Sequence, residues 1–132
     1  MTEVVAALLE QDGAYLVFQR PRNKARGGLF EFIGGKVEPG ETHCEALTRE
    51  CREELGAEVS VGDLFCDVIH EYPDITIHLF LYHARILSET WELKEHESMR
   101  AVYPRDLDGV PFCPADKPIL AKLREVTSPE KN

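Results

Sequence analysis

Glu50, Glu53 and Glu54 stand three and four residues apart in "TRECREELGA", residues 48–57. On a helix they fall within an arc of about 100°. Like charges so placed repel, by about 0.2–0.5 kcal/mol for an i,i+4 pair in an isolated helix. Arg49 offsets part of that cost, being four residues before Glu53 and four after Glu45. A cluster of hard oxygen ligands is what Mg²⁺ or Mn²⁺ requires, with coordination positions left open for phosphate oxygens. The plainer alternative is a solvated helix face laced with Glu–Arg pairs. Two features favour the cation. The acidic residues lie beside the apolar positions Leu47, Cys51 and Leu55 rather than opposite them, so they should border a sheet. A further carboxylate, Glu41, stands at the helix entrance after Gly34–Gly35, which reads as a turn.

The surrounding chain supplies the elements that must hold this helix. Thr42 and Glu45 form a T-x-x-E capping box that marks its start, and Gly56 marks its stop. Before it, "VVAALLE" (4–10) and "AYLVFQR" (14–20) flank "QDG" and read as two strands joined by a tight turn. The basic segment 21–28 reads as a loop, and "LFEFI" (29–33) as a short strand. After the helix, strands are expected at 58–70 and 75–86 with "YPD" (72–74) turning between them. Residues 88–98 read as a loop, 100–104 as a short strand, and Pro114 to Val126 as a last helix with Pro118 in its first turn. The tail "TSPEKN" is expected to fray. The order of elements predicts an α/β (α+β) fold, a mixed β-sheet between α-helices.

With 132 residues, the chain is expected to form one domain, 1–132. Its net charge of −9 argues against a nucleic-acid duplex partner, which needs clustered Lys and Arg. A small polyphosphate remains compatible if divalent cations sit between it and the carboxylates. No apolar run approaches the roughly 20 residues that span a bilayer, and no signal-peptide pattern is present. Cys44, Cys51, Cys66 and Cys113 form no C-x-x-C pair and are expected as reduced thiols in a cytoplasmic protein.

Gly35, Glu41 and "RECREELGA" (49–57) together match the Nudix box, G-x5-E-x7-R-E-U-x-E-E-x-G-U, with U a bulky aliphatic residue. Every glycine, glutamate and arginine position is filled, whereas Cys51 and Ala57 stand at the two U positions. The chain thus resembles Nudix hydrolases, and its likeness to the MutT-like branch extends over nearly its whole length, including "EYPDITIHLFLYH", "KEHE" and "PADKPIL". That resemblance implies a metal-dependent hydrolase, using Mg²⁺ or Mn²⁺, that acts on a nucleoside diphosphate linked to another group. It implies that Glu50, Glu53 and Glu54 hold the cations with the Gly34 carbonyl. It further implies that Arg49 orients these carboxylates and that Glu41 braces the loop and helix. A glutamate in the loop after the long strands joins the metal site or acts as base in this branch. Glu95 is the candidate here and Glu97 the second, the alternative being an exposed loop carboxylate.

The branch binds its base between the sheet and the last helix, which brings Arg20, Phe32, Tyr72, Asp74 and Asp116 into consideration. Arg20 could equally be a surface arginine, Phe32 a core aromatic and Asp74 a turn residue. Asp116 stands where 8-oxoguanine enzymes carry asparagine. Asn both donates and accepts, while ionised Asp only accepts. A buried, protonated Asp116 would recover the donor. An ionised one could accept from the cytosine N4 amino group or the guanine N1–H and N2 edge, and a helix cap is the structural alternative. The expectation is a nucleoside triphosphate pyrophosphohydrolase, best suited to 8-oxo-dGTP and serving to sanitise the nucleotide pool for DNA replication and repair. The alternatives are a CTP or modified dCTP pyrophosphohydrolase and a catalytically silent nucleotide-sensing domain. Either a monomer or a dimer is compatible with the sequence.

Overall fold

The apolar run at the start of the chain is buried on both faces because its strand lies inside the sheet. In the computed structural model, which describes residues 1–127, β1 (Thr2–Gln11) sends Val5, Ala7 and Leu9 to one side and Ala6 and Leu8 to the other. Such alternation with apolar residues at every step is the mark of a strand covered on both faces. β2 (Ala14–Gln19) returns antiparallel after a turn in which Asp12 and Gly13 both have positive φ, 54° and 84°. Two left-handed central residues suit the twist of a two-residue hairpin.

The segment expected as one strand over 29–33 is two, β3 (Phe30–Glu31) and β4 (Ile33–Lys36). β3 pairs with β2 and β4 pairs with β1, so the chain changes neighbours at Phe32. Gly34 and Gly35, expected as a turn, lie within β4 opposite Ala6 and Val5. Neither has a positive φ; what glycine provides here is close approach. A Cβ at Gly34 would collide with the Val5 carbonyl oxygen, and one at Gly35 with the Glu50 carboxyl group.

α1 (His43–Leu55) starts at the expected capping box, with Thr42 accepting from Glu45 N–H and Glu45 answering to Thr42 N–H. It ends at Gly56, whose φ of 64° suits a residue without Cβ. β5 (Val59–Glu71) and β6 (Thr76–Ile86) form a long antiparallel pair, and β6 lies parallel to β1 from Thr2↔Ile77 to Leu9↔Ala84. β7 (Ser98–Val102) pairs with β2 two residues earlier than expected, and Pro104 opens a 3₁₀ turn, Pro104–Gly109, that was not anticipated. The last helix likewise divides into a 3₁₀ turn, Pro114–Asp116, and α2 (Lys117–Thr127), with Pro118 in the first turn of α2. The frayed tail expected over 127–132 lies outside the described residues beyond that point.

The mixed sheet runs β3-β2-β1-β6-β5, with β4 on β1 and β7 on β2. α1 packs Ala46, Leu47, Cys51 and Leu55 against one face, while α2 packs Ile119, Leu120 and Leu123 against the other. The small Cys51 at the bulky position is fully buried, and burial beside Glu54 and Glu50 pushes its thiol up to about 12. It therefore stays protonated and behaves as a core hydrophobe.

Candidate active site

The carboxylates of α1 are organised by a single guanidinium. Arg49 grips Glu41 through two hydrogen bonds, Nε to Oε2 at 2.7 Å and Nη2 to Oε1 at 3.0 Å. Its Nη1 donates to Glu50 at 3.0 Å and to Glu53 at 3.2 Å, and its Nη2 also donates to the Lys36 carbonyl at 3.0 Å. The bidentate bond with Arg49 holds the Glu41 carboxyl at about 2, well below the usual range. The same partners raise the already high pKa of Arg49 further. Neither Arg49 nor Glu41 lines the neighbouring cavity; Arg49 ties α1 to β4 through the Lys36 carbonyl and to the preceding loop through Glu41.

That cavity, of about 460 Å³, is bordered at one end by Glu50, Glu53, Glu54, Glu95 and Gly34. Glu50 packs against Gly35, and its burial raises its pKa despite the bond to Arg49. Glu54 is more extreme. Its Oε1 is buried without a hydrogen-bond partner among the described residues, and burial together with Glu50, Glu31, Glu95 and Glu53 pushes the carboxyl up to about 9. Glu50 and Glu53 are turned towards Arg49, and among the described residues no three His, Cys, Asp or Glu side chains converge closely enough to hold a cation. The donor set nevertheless fits a hard divalent ion: an orphaned carboxylate oxygen, two further carboxylates and the glycine backbone share one cavity wall.

The other end of the cavity gathers residues from four separate segments. Arg20, Phe32, Tyr72 and Asp116 all line it, whereas Asp74 and Glu97 do not. Phe32 is both core and lining, 3% exposed and 5.6 Å from the Phe112 ring centroid. Tyr72 accepts a hydrogen bond from Ala115 N–H at 2.9 Å, which joins the β5–β6 turn to the 3₁₀ turn bearing Asp116. Asp74 instead accepts from Arg26 Nη1 at 3.0 Å, and the Arg26 guanidinium lies 4.0 Å from the Tyr72 ring centroid. Asp116 is only 4% exposed and its carboxyl accepts no backbone N–H among the described residues, so it does not cap α2. Burial, reinforced by Glu31 and opposed by Arg20, raises its pKa well above the usual range.

Glu31 and Arg26 line the cavity and were not singled out from the sequence. The signal for Glu31 was present, as the one charged residue inside the apolar "LFEFI". Its Oε1 accepts from Arg20 at 3.1 Å and its Oε2 is 3.0 Å from His96 Nε2.

A NUDIX domain family model matches residues 4–122. The chain belongs to the Nudix family. This Nudix hydrolase is 42% identical over 120 residues to the CTP pyrophosphohydrolase of Escherichia coli K12, covering 91% of this chain and 89% of that one. It is 36% identical over 123 residues to a putative 8-oxo-dGTP diphosphatase 2 of Mycobacterium tuberculosis, covering 91% and 86%. The solution structure of the Escherichia coli ORF135 protein superposes with a TM-score of 0.83 at 39% identity, covering 97% of this chain and 91% of that one. Nudix hydrolases act on small-molecule nucleotides and use divalent metal ions. Among the described residues of this Nudix chain, no helix is long and apolar enough to cross a membrane.

Proposed function

We propose that this chain, as one domain over 1–132, hydrolyses a nucleoside triphosphate to the monophosphate and pyrophosphate, with 8-oxo-dGTP its best substrate. The observation that carries the reading is a single cavity whose acidic end suits cation-bridged phosphates and whose other end offers Phe32 and a buried Asp116 to a base. Glu50, Glu53 and Glu54, with the Gly34 carbonyl and Glu95, would hold Mg²⁺ or Mn²⁺. When bound, the metal polarises phosphoryl oxygens and lowers the pKa of the attacking water. Arg49 and Glu41 keep α1 and β4 in register, and Glu95 would either complete the metal site or serve as the general base. Arg20 and Tyr72 flank the nucleoside, while Asp74 secures the turn beneath it through Arg26.

The raised pKa of Asp116 supports the oxidised purine. A neutral carboxylic acid both donates and accepts, the pairing that asparagine would offer. The second reading, CTP or a modified dCTP, is favoured by the 42% identical relative and by the acceptor that an ionised Asp116 would present. A role in clearing damaged nucleotides would place the protein in the cytoplasm, as a monomer or dimer.

The test is a panel of normal and oxidised nucleoside triphosphates, reading kcat/KM and the first inorganic product. Pyrophosphate released fastest from 8-oxo-dGTP is the expected result; orthophosphate as the first product would overturn the cleavage position. A melting experiment separates enzyme from sensor. Mg²⁺ with a non-hydrolysable nucleotide should raise Tm by more than nucleotide alone, because the cations bind the assembled carboxylates better than the unfolded chain. Equal shifts with and without Mg²⁺ would favour a silent nucleotide-binding domain.

A further inference from the structure

His96 is a buried histidine to which nothing so far gives a task. Its side chain is 4% exposed and its ring centroid lies 5.4 Å from that of the fully buried Phe18. Nε2 is 3.0 Å from Glu31 Oε2, and a carboxylate there accepts, so Nε2 carries the donated proton. Nδ1 is buried with no hydrogen-bond partner among the described residues. An unmatched buried nitrogen is a cost that a phenyl ring at the same place would not carry. A position that served packing alone would be better filled by an apolar residue.

The backbone on either side shows what the cost is set against. Lys94 N–H donates to the Glu54 carbonyl at 3.0 Å, so residue 94 is fastened to the end of α1. Glu97 N–H donates to the Gln19 carbonyl at 2.9 Å, and Ser98 Oγ to Gln19 Oε1 at 2.8 Å. Between these anchors Glu95 lines the acidic end of the cavity, and the next side chain turns inward to meet Glu31. Glu31 spends its other oxygen on Arg20 at the nucleoside end.

We propose that His96 is a positioning residue: bonded to Glu31, it holds Glu95 at the acidic end of the cavity and ties that end to Arg20. The proposal rests on Glu95 belonging to the catalytic machinery, and its test separates the two ideas. His96→Phe keeps the ring and removes the donor, whereas His96→Gln keeps an N–H donor of similar reach. His96→Phe should lower kcat by about tenfold or more, the scale seen when an orienting partner is lost, with a smaller change in KM. His96→Gln should recover most of that loss. In a Glu95→Gln background, His96→Phe should cause no further fall in kcat. Equal losses in Phe and Gln variants that track a lowered Tm would reduce His96 to a packing residue, and multiplicative losses with Glu95→Gln would also sink the proposal. If Glu95→Gln alone turns over at the wild-type rate, the assignment of Glu95 falls and the proposal with it. If Glu95→Gln is slow and His96→Phe is not, the positioning role alone is wrong.

Discussion

Glu53→Gln and Glu54→Gln are each expected to lower kcat by more than about 100-fold while leaving the protein folded. The amide keeps the size of the side chain and removes the charge that holds a cation. The two positions should differ in what else they change. Glu53 is 55% exposed and leans on Arg49, so its replacement alters little besides activity. Glu54 carries a folded-state pKa of about 9 against 4.5 for the unperturbed group. Between those values the folded chain binds more protons than the unfolded chain. Stability without added metal therefore falls as pH rises across that interval, by at most about 1.4 kcal/mol per pH unit. Glu54→Gln removes this contribution to the slope and leaves those of Glu50 and Asp116. Thermal melts in chelator should show the variant above wild type at pH 8 and converging with it near pH 5. Near-wild-type turnover of both variants at saturating Mg²⁺ would remove the metal-helix reading altogether.

Asp116→Asn should change which substrate is preferred more than how fast the preferred one is turned over. Burial, with Glu31 adding to the effect and Arg20 opposing it, favours the neutral form of the wild-type carboxyl. In that form it can donate to O6 and accept from the N7–H that distinguishes 8-oxoguanine. As pH rises and the group ionises, the donor is lost and a cytosine amino group becomes the better partner. The ratio of 8-oxo-dGTP to CTP kcat/KM should thus decline with rising pH in the wild type. In Asp116→Asn it should stay at or above the low-pH wild-type value throughout, a difference of about tenfold or more at the alkaline end, since one mismatched buried polar group costs about 1–3 kcal/mol. A ratio that is the same in both proteins at every pH would show that Asp116 does not read the base.

Much of this site is legible in the residues because its parts are local. The capping box, the four-residue recurrence of Leu47, Cys51 and Leu55, and the Glu41–Arg49 spacing all lie within one loop and helix. Their order in the chain is close to their order in space. The nucleoside end is different. Glu31 and His96 are 65 residues apart, as are no two members of the box, and only strand pairing brings them together. Gly34 and Gly35 read as a turn because glycine most often signals positive φ. Here it signals that β1 and Glu50 approach too closely for a side chain. The break at Phe32 was equally hidden, since a change of strand partner leaves the alternation of apolar residues intact.

The parallel pairing of β1 with β6 also governs when the molecule can assemble during its own synthesis. The first strand waits for a partner some 75 residues downstream (Thr2 meets Ile77, Leu9 meets Ala84), and closing so long a loop is an entropic cost that local contacts do not offset. Until Ile86 has left the ribosome, the apolar edge of β1 is open and available to any other extended chain. The nascent protein is most vulnerable to aggregation in that interval, and α1, although its capping signals are local, lacks the β6 part of the face it docks on until the same moment.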